Sequence, residues 1–145
     1  MSEPIFVESH HEESGRFAVL EEDDKVAYLY LLRPDQSIEK STLAYMRVDP
    51  IESADWHAAA KRGEPPTLSR DMATTDAVIA DALAADLRID WSSDGHAAVL
   101  LYRGTPITWV SAAEEHGYGY SKAISKAGGF GQPWDEASYQ QVFRS

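Results

Sequence analysis

Alternating apolar side chains constrain this chain more than any other feature. Residues 16–21 (RFAVLE) and 26–33 (VAYLYLLR) flank the polar stretch Glu22-Asp23-Asp24-Lys25. Residues 87–92 (LRIDWS), 96–102 (HAAVLLY) and 105–111 (TPITWVS) are separated by Ser93-Asp94-Gly95 and Arg103-Gly104. A two-residue period places one row of side chains on each face of an extended strand, and short polar or glycine-bearing gaps supply hairpin turns. The pattern predicts a hairpin in the first third and a three-strand meander in the second half, sharing one apolar interior. In the second run Ala27, Leu29 and Leu31 fall on one face and Tyr28, Tyr30 and Leu32 on the other, so a central strand covered on both sides is expected.

The rest of the chain fills in around these strands. Residues 4–8 (PIFVE) suit a short edge strand, where Pro4, which cannot donate to a ladder, is tolerated. Residues 8–15 (ESHHEESG) read as a solvated loop, with 1–15 as a frayed N-terminal arm. Residues 42–48 read as a further strand. Asp49, Pro50 and Glu52 then open a helix over 50–62, which Lys61, Arg62, Gly63 and Pro65-Pro66 close. The alanine-rich 75–86 reads as a second helix, with a strand at 78–83 as the alternative. Residues 111–117 suit one helical turn, 117–121 an irregular extended piece and 127–133 (AGGFGQP) a flexible loop. Pro133, Asp135 and Glu136 open a last helix that packs through Trp134, Tyr139, Val142 and Phe143. The expected architecture is a single α+β domain: an antiparallel meander sheet with two or three short helices packed on it.

Charge and cysteine usage narrow the function classes. The chain of 145 residues carries a formal net charge of −11, with eight acids against two bases in residues 1–25. Such a molecule is repelled by phosphate backbones and anionic membranes, so neither nucleic acid nor a membrane is an expected partner. A basic protein partner is favoured by electrostatic steering. The absence of cysteine removes disulfides, thiolate catalysis and Cys-based zinc sites, and fits a reducing cytoplasm. The apolar runs AYLYLL and AAVLLY fall far short of the roughly 18 residues of a membrane span.

Two segments resemble a bacterial domain family of unknown function: V-L-E-E-D-D-x-x-x-Y-x-Y at 19–30, and W-S-S-D-G-x-x-A-x-L-L-x-x-G-x-P at 91–106, continuing to Gly117-Tyr118. Where such families place an arginine after the Gly-Tyr pair, this chain has Gly119-Tyr120-Ser121. The resemblance implies a small bacterial protein with a hairpin-rich core and carries over no catalytic residue. The same residues also have a structural explanation: Gly95 and Gly104 as turn glycines, Pro106 as an edge block and Trp91 as core.

No constellation has the spacing of a catalytic or metal centre, and no catalytic residue, cofactor or metal is expected. His10-His11 on an extended chain point to opposite sides and are poor joint ligands. Asp94 could orient His96 as an acid–base pair, but turn-flanking residues are ordinarily solvated. Glu114-Glu115-His116 reads as a charged cap, and 127–133 lacks the Walker pattern. Two groups remain as partner or ligand candidates. Glu21, Glu22, Asp23 and Asp24 form an acidic hairpin tip, and Tyr118, Tyr120 and Trp134, with Phe130 and with His96 or His116 nearby, form an aromatic cluster over a pocket. The sequence therefore points to a non-enzymatic protein-interaction module, of acidic inhibitor or immunity type. The alternative is a small-molecule binder or enzyme with a pocket near Tyr118–Trp134. It does not fix the oligomeric state.

Overall fold

The computed structural model describes residues 5–22, 25–47, 73–75, 77–113, 119–126 and 131–143. Strand accounts for 52% of these residues and helix for 11%. The first sheet holds β1 (Phe6–His10), β2 (Phe17–Glu22), β3 (Val26–Leu32) and β4 (Ile38–Met46) in sequence order. The second holds β5 (Leu87–Trp91), β6 (Ala97–Tyr102), β7 (Thr105–Ser111), β8 (Tyr120–Ser121) and β9 (Gln132–Pro133), again in sequence order. All neighbours are antiparallel except β8 and β9. One α-helix, α1 (Glu136–Phe143), lies among the described residues.

The two sheets face each other, with β1 over β5 and β4 over β7 and β8. The interior is made by the rows the alternation assigns to it. Ala18 and Leu20 of β2, with Ala27, Leu29 and Leu31 of β3, meet Leu87 and Ile89 of β5, Ala98 and Leu100 of β6 and Val110 of β7. Shared burial of both meanders in one core is the arrangement expected of two amphipathic sheets. A register shift opposite Ala27/Tyr28 brings Ala44 and Tyr45 of β4 into the same core. The Ala44 carbonyl accepts from Ser121 Oγ at 3.2 Å and from Thr108 Oγ1 at 3.4 Å, a buried polar link between the sheets. At the opposite margin Trp91 Nε1 donates to Ser9 Oγ at 2.8 Å, joining β5 to β1.

This is a two-sheet β architecture, not the α+β sheet with two or three helices that the sequence suggests. The decisive segment is 75–86. Alanine favours helix in isolation, but the end of β4 presents an unpaired backbone edge. Met46 N–H donates to the Ala77 carbonyl at 2.8 Å, and Ile79 N–H donates to the Met46 carbonyl at 2.8 Å. Residues 77–79 are thereby drawn out alongside β4, with a parallel bridge between Met46 and Val78, and among the described residues of the segment only Ala84–Asp86 winds into a 3₁₀ turn. Tertiary pairing overrides propensity here. The helix expected at 50–62 lies outside the described residues.

Three smaller differences follow from packing. Residues 8–10, expected as loop, continue β1, whose five residues pair with β2 from Phe6↔Glu21 to His10↔Phe17. The last two residues of 127–133 pair as β9 against β8. On β3 the second face is only partly covered. Val26 and Tyr28 meet a smaller apolar cluster that includes Met46, Ala77 and Ile124, while Tyr30 and Leu32 stay half-buried.

The last helix forms where its signals place it. Asp135 Oδ1 accepts from the N–H groups of Ala137 at 3.1 Å and Ser138 at 3.4 Å, a side-chain N-cap. Val99, Trp109 and Tyr120 are in register across β6, β7 and β8, on the face away from the shared core. Phe143 of α1 meets Trp109 edge-on at 5.9 Å, so the helix covers this outer face. Gly119 permits a close approach of its own segment to β7: a Cβ there would lie 2.3 Å from the Trp109 carbonyl oxygen.

Candidate functional site

The acidic hairpin tip does not survive as a set of four. Glu22 is 4% exposed, because it lies on the inward row of β2. Its Oε2 accepts a 2.5 Å hydrogen bond from the Tyr45 hydroxyl, and its Oε1 pairs with Arg47 Nε at 3.0 Å. Burial, and then the neighbouring Glu22 carboxylate, push the Tyr45 hydroxyl far above the ordinary tyrosine value of 10.0. Glu21, one residue earlier, is exposed on the other face. Asp23 and Asp24 lie outside the described residues.

The Asp94–His96 pair is not an acid–base dyad. Asp94 Oδ1 accepts from the His96 backbone N–H at 3.0 Å and from the Ser92 hydroxyl at 2.7 Å. These bonds hold the Asp94 carboxyl below its ordinary value and make it a turn-forming residue. The imidazole of His96 is occupied elsewhere, its Nδ1 accepting from Arg16 Nε at 2.9 Å, and Arg16 also pairs with Glu39. His10 stacks on Phe17 at 4.3 Å and His11 packs beside Trp91 at 5.5 Å.

The aromatic candidates are brought together in part. Tyr120 stacks on Trp109 at 4.4 Å, and Trp134 meets Tyr139 at 5.0 Å, which in turn stacks on Phe143 at 5.0 Å. These rings anchor α1 to the outer face of the second sheet. His116 and Tyr118 lie outside the described residues.

A concavity lies elsewhere, between the two sheets, where Ala44 of β4 with Thr75, Val78 and Ile79 faces the β6–β7 hairpin. It encloses about 530 Å³. That is within the roughly 300–1,000 Å³ of small-molecule sites. Its floor is apolar, from Ala44, Val78, Ile79, Ile107 and Ala123. Polar groups stand around it: the phenol of Tyr102, the hydroxyls of Thr75 and Thr105, and the cations Arg103 and Lys122. His96, Tyr120 and Trp134 do not line this concavity, and the stretch from Tyr118 to Trp134 lies partly outside the described residues. Trp134 adjoins the concavity through Lys122, whose ammonium rests 4.7 Å from the indole centroid.

Arg103 holds the rim in an unusual way. With Gly104 it forms the two-residue connection between β6 and β7, and both residues have positive φ, 51° and 83°. Hairpins of this type prefer Asn-Gly or Gly-Gly, since a side chain at the first position is strained. The guanidinium lies 5.1 Å from the Tyr102 ring centroid and reaches Asp86 Oδ1 at 3.5 Å. Asp86 Oδ2 is buried and has no hydrogen-bond partner.

Arg103 and Lys122 were not singled out by sequence reasoning. The available signal was an arginine where the Arg103-Gly104 turn calls for asparagine. For Lys122 no signal exists, because its place at the rim depends on how β8 follows β7.

Comparison with known proteins gives no match to a family model, a curated protein or a solved structure.

Proposed function

We propose that this protein is a binding module for a small, largely apolar molecule, seated in the cleft between its two sheets. The observation that carries the reading is the cleft itself. It combines about 530 Å³ of space, an aliphatic floor and a few polar groups at one rim. Burying an apolar body on such a floor yields roughly 25 cal/mol per Å² of surface removed from water, and the rim groups set orientation. The reading is non-enzymatic, and a cytoplasmic location fits the cysteine-free sequence. The likeness of 19–30 and 91–106 to a bacterial family of unknown function assigns no reaction.

Titration of isotopically labelled protein with phenylbutanol, followed by amide shifts, tests the reading. Shifts concentrated at Ala44, Ile79, Ile107 and Ala123 are expected. Shifts scattered over the surface, or none at millimolar probe, would contradict it.

A second reading is supported by the net charge of −11 and by exposed Glu21. In it the acidic surface docks a basic protein, as an inhibitor or immunity protein would. No membrane-crossing helix occurs among the described residues. Affinity capture from native-host lysate at low salt should yield a basic partner that Glu21→Lys releases. Recovery of none above background would count against it.

A further inference from the structure

We infer that the cleft selects a monoanion, a carboxylate on a compact apolar body, with the carboxylate held between Arg103 and Lys122 and the body against Ile79 and Ile107. This rests on the binding reading above and adds the ligand's charge to it.

Three observations converge. The first is sign. In a chain with 24 acids and 13 Lys and Arg residues, two cations and no carboxylate are found among the described residues lining this cleft. A low-dielectric floor beneath them strengthens their attraction for an anion relative to open water.

The second is incomplete pairing. Arg103 offers five N–H donors, and among the described residues its one ion pair is the long 3.5 Å approach to Asp86, with Asp81 acting only at longer range. Asp86 lines the adjoining hollow of about 220 Å³, on the other side of Arg103. The guanidinium therefore stands between Asp86 on one side and the cleft on the other. A planar fork is suited to a carboxylate entering from the cleft. Lys122 forms no ion pair among the described residues, and its ammonium lies over the face of Trp134.

The third is retained strain. A left-handed arginine at φ 51° is costly where asparagine would fit, so a local rule is broken at the rim of the cleft. The turn places that guanidinium beside Tyr102, and Tyr102 and Thr105, which bracket the turn in sequence, also line the cleft.

Binding of phenylbutyrate, phenylbutanol and phenylbutylamine, which share one body and differ in charge, tests this by amide-shift titration. The carboxylate should bind at least about tenfold more tightly than the alcohol, and the amine most weakly, as charge-assisted pairing predicts. Arg103→Asn, which suits the left-handed turn, and Lys122→Gln should each remove most of that advantage. Asp86→Asn, which removes the competing carboxylate, should raise affinity for phenylbutyrate. Equal affinity of carboxylate and alcohol at the cleft would overturn the anion inference and leave the binding reading standing. Absence of cleft shifts with all three probes would overturn both.

Discussion

The Tyr45 hydroxyl donates to the Glu22 carboxylate at 2.5 Å inside the core, with Arg47 on the carboxylate's other oxygen at 3.0 Å. An acid that reads as part of a solvated hairpin tip is thus an interior residue tying β2 to β4. Removing one member of a buried charged group costs about 3–5 kcal/mol, because the partner charge is left uncompensated. Glu22→Ala should destabilise the fold by an amount near the lower end of that range, and Tyr45→Phe by about 1.5–3 kcal/mol, the worth of a hydrogen bond to a charged group. Denaturant unfolding measures both. A change under about 0.5 kcal/mol for Glu22→Ala, the range of an ordinary surface substitution, would show that the pair is not formed.

The same contact sets an alkaline limit. The folded-state pKa of Tyr45 is raised above the ordinary 10.0, so the unfolded chain loses this proton first. Its contribution to stability is complete below pH 10 and declines as pH rises through the interval up to the folded value. Stability of the wild type should fall more steeply above pH 10 than that of Tyr45→Phe. Parallel curves for the two proteins would contradict the assignment.

Asp94 gives the opposite sign. Its folded pKa lies below the ordinary 3.8, so its contribution is present above that value and is lost as pH falls through the folded one. Amide exchange of Gly95, His96 and Ala97 should accelerate on acidification below pH 3.8, relative to the exchange of β3. Asp94→Ala should show that faster exchange already at neutral pH and lose about 0.5–1.5 kcal/mol, the net value of a hydrogen bond. Unchanged exchange in the variant would rule out a turn-forming role.

Arg103→Asn should not destabilise the protein and should raise its stability slightly, since the left-handed conformation suits asparagine and the Arg103 side chain is 59% exposed at its long contact with Asp86. A clear loss of stability would mean that the Arg103–Asp86 contact matters more to the hairpin than the backbone strain does.

Gly119→Ala should cost about 1–3 kcal/mol through overpacking, because the new Cβ would lie 2.3 Å from the Trp109 carbonyl oxygen and 2.6 Å from Val110 Cγ1. At Gly104 a Cβ meets nothing within 4 Å, so Gly104→Ala carries only the backbone cost of φ 83°. A thermal melt that ranks Gly104→Ala as the more damaging change would contradict the close approach of β7 and residue 119.

The strands were legible because alternation is a local signal. Residues 16–33 and 87–111 needed no knowledge of their neighbours to be assigned. The last helix was legible for the same reason, through Asp135 and the apolar spacing of Tyr139 and Phe143. What local pattern could not convey was competition for backbone partners. Residues 77–79 extend because Met46 has free backbone groups, a fact that lies some thirty residues away in sequence. Nor could it separate Glu21 from Glu22, because which of two adjacent acids faces inward depends on strand register. The cleft was illegible for a similar reason: Ala44, Ile79, Ile107 and Lys122 become neighbours only when the two sheets close on each other.

The most direct measurement is of intermolecular nuclear Overhauser contacts between phenylbutanol and the methyl-labelled protein. Cross-peaks from the probe's ring to the methyls of Ile79 and Ile107 are expected, with the strongest contacts at the aliphatic floor. Cross-peaks confined to the outer-face cluster around Tyr139 and Phe143, or none at saturating probe, would place no ligand between the sheets and remove the functional reading.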